Sequence, residues 1–185
     1  FNVVTVEYAG SFDPARLTRN FYATSSCGVC GKASLEALEM CGHEVGPGPR
    51  LSGGTIIGLP DVLRKAQKVF DSTGGLHAAG LFGAGGELIL AREDVGRHNA
   101  VDKLVGRSFL DRKIPLEESV LMVSGRVSFE IMQKAVASGI PVVCAVSAPS
   151  SLAVEVARRY GVTLIGFLRE DRFNVYAGEE RILTP

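Results

Sequence analysis

The chain has 185 residues, 46% of them hydrophobic and 22% charged, which excludes a disordered chain and is enough for one domain with a sizeable core. Twenty basic and twenty acidic residues cancel, which argues against a general nucleic-acid binder but leaves room for a local anion site. No apolar run approaches the ~18 residues of a membrane span, and the start joins no basic stretch to an apolar one as a secretory signal does. The first residue is Phe1 rather than Met, so a processed or truncated chain is expected. Cys27, Cys30, Cys41 and Cys144 are too few for a disulfide scaffold of this size, so the expected compartment is the reducing cytoplasm. Cys144 sits in Val142-Val143-Cys144-Ala145-Val146 and reads as a small buried hydrophobe.

In chain order, residues 3–8 and 21–23 are expected as short strands around a loop at Asp13-Pro14. Ser25-Ser26-Cys27-Gly28-Val29-Cys30-Gly31 is a glycine-rich polar loop, and a short helix is expected over 33–41. Residues 42–60 are rich in glycine and proline and are expected as a loop, so 24–60 as a whole reads as a mobile functional segment. An amphipathic helix is expected over 60–72, with Leu63, Ala66, Val69 and Phe70 inward and Gly74-Gly75 as its stop. Residues 76–82 and 87–92 read as strands joined by Gly83-Ala84-Gly85-Gly86. A helix over 97–111 puts Val101, Leu104, Val105 and Phe109 on one face. Apolar runs at 120–123, 142–146 and 162–168 then alternate with helices at 128–138 and 150–160, and 173–176 adds an edge strand. Continuous apolar strands alternating with helices are the pattern of parallel strands covered on both faces. The expected fold is one layered α/β domain.

Four segments carry chemistry. Cys27 and Cys30 are close enough to exchange sulfur or electrons, and flanking glycines leave the sulfurs accessible. Half a zinc site completed by Cys41 and His43, and a thioredoxin-type redox pair, stay open beside a persulfide carrier. His77 has no Glu two residues on, since position 79 is Ala, and the Cys-x-x-Cys lies upstream, so a zinc deaminase is not expected. A histidine among alanines reads as a packed residue. Glu93-Asp94-Val95-Gly96-Arg97-His98-Asn99 gathers polar groups at a strand-to-helix junction, where such folds bind ligands. There Asp94 and Asn99 can cap backbone or read a base edge, and Arg97 and His98 can meet phosphate. Ser124-Gly125-Arg126-Val127-Ser128 and Ser147-Ala148-Pro149-Ser150-Ser151 each end a strand and open a helix. Serine and proline there fit simple capping, while Arg126 adds the cation a phosphate site needs. Neither turn carries the glycine pattern of an NTPase or a dinucleotide dehydrogenase. In Phe167-Leu168-Arg169-Glu170-Asp171-Arg172, Phe167 can stack on a base and the arginines can fork to phosphate; a charged hairpin turn is the plainer alternative.

Taken together, the Cys27 loop, Thr73-Gly74-Gly75-Leu76-His77-Ala78-Ala79, Glu93-Asp94-Val95-Gly96-Arg97-His98-Asn99-Ala100-Val101-Asp102-Lys103-Leu104 and Ser147-Ala148-Pro149-Ser150-Ser151-Leu152 resemble the formate dehydrogenase accessory sulfurtransferase family, FdhD. The likeness covers essentially the whole chain, and the family's N-terminal section is expected to be missing from it. The resemblance implies a layered α/β/α sandwich with a mixed, largely parallel sheet, like that of cytidine deaminases without their zinc motif. It implies a sulfurtransferase that takes persulfide sulfur from a cysteine desulfurase and delivers it to the molybdenum bis(guanine dinucleotide) cofactor of formate dehydrogenase. Cys27 would carry the persulfide, with Cys30 as its partner. Phe167, Leu168, Arg169, Glu170, Asp171 and Arg172 would bind the cofactor, and a homodimer is expected. Arg126, Asp94, Arg97, His98 and Asn99 are further binding candidates from the residues themselves. No structural metal, nucleic acid or membrane partner is expected. A cofactor-binding chaperone that transfers no sulfur is the alternative.

Overall fold

The computed structural model describes residues 44–183, together with Thr5, Glu7 and residues 9–11. The strands expected at 3–8 and 21–23, the cysteine loop and the helix at 33–41 lie outside the described residues, Thr5 and Glu7 apart. The elements are β1 (Leu51–Ser52), α1 (Gly53–Ala66), α2 (Lys68–Thr73), β2 (His77–Phe82), β3 (Leu88–Asp94), α3 (Arg97–Leu110), β4 (Val120–Val123), α4 (Phe129–Ala137), β5 (Val142–Ala145), α5 (Ser151–Arg159), β6 (Thr163–Gly166), β7 (Asn174–Ala177) and β8 (Ile182–Leu183).

Every residue of β4, β5 and β6 is buried. Strands buried on both faces need a covering layer on each side, and parallel strands need long crossovers, so helices fill both roles. The six-stranded sheet has the order β3-β2-β4-β5-β6-β7. β4 pairs parallel with β5, and β5 with β6, while β2 and β7 pair antiparallel with their neighbours. Four of the six strands, β3, β4, β5 and β6, therefore run the same way. This is the mixed, largely parallel sheet expected. β1 and β8 form a separate parallel pair.

Successive strand residues point to opposite faces, and two cores result. One holds Leu121, Val123, Val143, Ala145 and Leu164 against α3, α4 and α5. The other holds Val120, Met122, Val142, Cys144 and Ile165 against Ile56, Leu59 and Leu63 of α1. The result is three layers, helices on either side of the sheet.

The expected loop over 42–60 is corrected in its second half. Ser52 accepts a hydrogen bond from Thr55 N–H at 3.0 Å and opens α1 at Gly53, and the helix runs through Pro60. A side-chain cap of this kind is worth about 1 kcal/mol. Ile56, Leu59 and Leu63 lie on one stripe and are fully buried, and that burial outweighs the poor helix propensity of glycine and proline. The helix expected over 60–72 is in fact the end of α1 and the short α2, broken at the non-helical Gln67. α2 ends as expected at Gly74, left-handed with φ 66°. The expected inward Val69 is 49% exposed, because α2 lies at the sheet margin. Phe109 is likewise exposed at 68%, since it falls in the last turn of α3.

Candidate functional site

Because β4, β5 and β6 are parallel, the turns that follow them leave one edge of the sheet. Backbone hydrogen bonds tie these turns together. Val127 N–H donates to Ala148 O at 3.2 Å, and Ser150 N–H donates to Val127 O at 2.9 Å. Phe167 N–H donates to Ser147 O at 3.3 Å, and Leu168 N–H to Ala145 O at 3.1 Å. The three turns thus converge on one edge. A Cβ on Gly166 would lie 2.9 Å from Pro149 Cδ and 3.2 Å from Ser147 O, so only glycine lets the β5 and β6 turns approach this closely.

After Gly166 the chain turns sharply: Phe167 has φ 50°, a left-handed backbone rare for an aromatic residue, and the residue is 41% exposed. Strain of this kind persists where the surroundings hold it. Arg169 N–H donates to Arg172 O at 2.9 Å and closes the turn. Arg169, Glu170, Asp171 and Arg172 are exposed. Arg172 approaches Asp171 at 3.9 Å, with both side chains largely in solvent, a pairing too weak to hold the guanidinium. Arg126 is exposed on the β4 turn, and neither it nor Arg169 has an ion-pair partner among the described residues. α4 and α5 open from the β4 and β5 turns, so their N-terminal N–H groups face the same edge. Leu168 departs from expectation. It is 1% exposed and packs into the α1-side core, so its side chain anchors the turn from below.

The junction of β3 and α3 lies at the same end of the sheet, but most of its polar groups are turned inward on one another. Asp94 accepts from Gly96 N–H at 2.9 Å and Asn99 Nδ2 at 3.0 Å, and pairs with Lys103 Nζ at 2.5 Å. The Lys103 hydrogen bond, then those from Gly96 and Asn99, hold its carboxyl down at about 2. Asp94 thus takes the backbone-capping role, one of the two expected for it, and Asn99 supports it through Nδ2. The carboxylate of Glu93 accepts from the N–H groups of Val69 and Phe70 at 3.0 and 2.9 Å, capping α2. His98 Nε2 lies 2.8 Å from Ser128 Oγ and 3.8 Å from Glu130 Oε2, tying α3 to the start of α4. Burial pushes His98 below its ordinary value, with Glu130 opposing. His98 thus braces the junction through Nε2. Arg97 is half-buried, with its Cδ beside Gly125.

Cys144 is fully buried in β5, and burial pushes its thiol up to about 12, so it is inert at neutral pH. Cys27, Cys30, Cys41 and His43 lie outside the described residues. Among the described residues no cluster of three or more His, Cys, Asp or Glu could hold a metal ion. No pattern in the sequence marks Gln67, and His77 carries only a structural signal, yet both face a concavity beside Ser124 at this same edge.

The Asp94 brace gives a pH-dependent prediction. A carboxyl with a depressed pKa in the fold contributes stability above its unfolded value and loses it as pH falls through the folded one. Melting temperatures of the wild type and Asp94→Asn should therefore differ at neutral pH. The gap should narrow as pH falls from 3.8 towards about 2. A gap that stays constant over that window would mean that the Asp94 charge does not hold the turn.

The model of the FdhD/NarQ family matches residues 2–183. A sulfur carrier protein FdhD from Streptomyces avermitilis is 57% identical over 98% of this chain and 66% of its own length. One from Mycolicibacterium paratuberculosis is 54% identical over 98% of this chain and 68% of its own. The chain thus spans about two thirds of the length of these relatives. A crystal structure from Desulfotalea psychrophila, described as that of a formate dehydrogenase accessory protein, superposes with a TM-score of 0.67 at 34% identity, covering 73% of this chain and 60% of that one. With the family model spanning almost every residue and relatives more than half identical, the chain belongs to the FdhD/NarQ family.

Proposed function

We propose that this chain is a sulfur carrier in formate dehydrogenase maturation. It takes sulfur as a persulfide on Cys27 from a cysteine desulfurase and passes it to the molybdenum bis(guanine dinucleotide) cofactor, which binds as substrate at the carboxyl edge of the sheet. One observation carries this reading: three turns stitched into a single edge present the exposed Arg126, Arg169 and Arg172 beside the exposed Phe167. Family membership and the name of the relatives, sulfur carrier protein FdhD, support it.

The chemistry asked of each part is simple. The Cys27 thiolate attacks the outer sulfur of the donor persulfide. The donor S–S bond breaks, a new S–S bond forms at Cys27, and the donor leaves as a thiolate. If the Cys30 thiolate then attacks the inner sulfur at Cys27, a Cys27–Cys30 disulfide forms and the outer sulfur leaves as hydrosulfide, ready for the metal. At the edge, arginine forks suit phosphate oxygens and the N-terminal N–H groups of α4 and α5 add to the positive potential. Phe167 supplies a stacking face for guanine. In this reading the protein works in the cytoplasm as a homodimer that meets the desulfurase and formate dehydrogenase in turn. No described helix is long and apolar enough to cross a membrane.

Two measurements test it. Incubation with a cysteine desulfurase and cysteine should add ~32 Da at Cys27, the mass of one sulfur on the thiol. The Cys27→Ala protein should lack the adduct and fail to activate formate dehydrogenase. A Cys27→Ala protein that still carries the adduct and fully activates the client would show that Cys27 is not the carrier. In the second, GDP is titrated against the wild type, Arg172→Ala and Arg126→Ala. Loss of one charge-assisted hydrogen bond costs about 1.5–3 kcal/mol, so affinity should fall roughly tenfold to a hundredfold. No binding to the wild type, or equal affinity in all three, would move the cofactor away from this edge.

A further inference from the structure

The concavity beside Ser124 has a volume of about 360 Å³ and is lined by Gln67, Phe70, Leu76, His77 and Ser124 among others. It sits where β2 begins and β4 ends, because these neighbours are antiparallel. Gln67 is 5% exposed, and its side-chain amide makes no hydrogen bond among the described residues. As part of the cleft lining, the Gln67 amide offers a donor and an acceptor to a ligand. Ser124 Oγ already accepts from Ala78 N–H at 2.9 Å, so its hydroxyl proton is left to donate. The His77 imidazole adds a donor and an acceptor on its two nitrogens. Gly125 closes over this ring: a Cβ there would lie 3.3 Å from His77 Nδ1.

The apolar wall is fixed in advance. Phe70 N–H is held by Glu93 at 2.9 Å, and the Arg64 guanidinium lies 4.7 Å from the Phe70 ring centre. A site with one aromatic wall, an aliphatic neighbour and convergent neutral donors and acceptors suits a flat, uncharged heterocycle. A side-chain amide pairs best with a ring that shows an N–H and a C=O side by side, which is a lactam edge. The site is two strand spacings from the Phe167 turn, about 10 Å measured from β4 to β6. Arg126, on the β4 turn, lies between them in strand order.

We propose that this cleft is the pterin subsite: the lactam edge of a pterin pairs with Gln67, Ser124 and His77, while Arg126 takes the pyrophosphate and Phe167 takes the guanine of the same dinucleotide. The proposal rests on the dinucleotide reading given above and adds to it the position of the second ring. It also sets the direction of the ligand. The pterin end, which carries the metal-binding sulfurs, lies at the β2 and β4 side of the edge, and sulfur is handed over there.

The test uses the full chain and two probes, hydroxymethylpterin followed by its own fluorescence, and GDP. Hydroxymethylpterin should bind the wild type, and its affinity should fall about tenfold in Gln67→Leu, which keeps the size of the side chain and removes its donor and acceptor. Phe70→Leu should weaken it as well. Phe167→Ala should leave pterin affinity unchanged and lower that for GDP. GDP at saturation should not displace the pterin. Unaltered GDP affinity in Gln67→Leu shows that the variant is folded. No pterin binding to a wild type that binds GDP, equal pterin affinity in Gln67→Leu, or displacement by GDP would each overturn the assignment. Pterin binding that depends on Gln67 in a protein indifferent to GDP would support the cleft and overturn the arginine edge instead.

Discussion

Burial of β4, β5 and β6 on both faces is the constraint on which the rest of the structure depends. Each large apolar side chain in these strands gives about 1.5–3 kcal/mol when removed from water, so neither face can be left open. The residues of β4, β5 and β6 are all buried, and alternate positions feed two separate cores. Parallel pairing then requires crossovers, which α4 and α5 provide on one face. α1 closes the other face, although its sequence is rich in glycine and contains a proline. One consequence follows from strand direction alone. Turns after parallel strands share an edge, so groups far apart in sequence, such as Arg126 and Arg172, come to one side of the molecule.

The polar motif between Glu93 and Lys103 works on that edge from within. Glu93 caps α2, Asp94 gathers Gly96, Asn99 and Lys103, and His98 reaches Ser128 at the start of α4. Interactions between charged and hydrogen-bonded groups of this kind fix geometry more than they add stability. Their effect is to hold α2, α3 and the β4 turn in one arrangement, with Gly125 pressed against His77. The motif that stands out most in the sequence is therefore largely internal bracing. The groups left open to a ligand are less conspicuous: arginines on exposed turns, one strained phenylalanine, and the amide of Gln67 in the cleft.

That contrast explains what was legible in the sequence. The run 120–123 was readable to the residue, because a short apolar stretch between turns has one economical conformation and the structure places β4 there. The glycine turn at 83–86 and the stop at Gly74 follow from backbone geometry that few other residues accept. α1 was hidden, because Gly53, Gly54, Gly58 and Pro60 read as loop while its stability comes from burying Ile56, Leu59 and Leu63 against a sheet formed much later in the chain. Val69 and Phe109 have helical spacing, but their faces meet no partner element among the described residues. At the site, the edge was predictable from strand order, and the arginines from charge. Burial of Leu168 and the engagement of Asp94 and Asn99 are tertiary facts, and nothing in the pattern around Gln67 distinguishes it from a surface glutamine.

In the proposed function, the edge and the cleft would hold a large anionic dinucleotide by its rings and phosphates while Cys27 brings the sulfur. A carrier differs from a simple cofactor chaperone only in whether that sulfur moves. The most direct measurement is a single-turnover chase. The protein is loaded with isotopically heavy sulfur on Cys27, freed of the desulfurase, and mixed with the desulfurated molybdenum dinucleotide cofactor. A carrier should lose the heavy sulfur from Cys27 to the cofactor, and transfer should slow when Arg172 is replaced by Ala. Heavy sulfur that stays on Cys27 while the cofactor is bound would contradict this role.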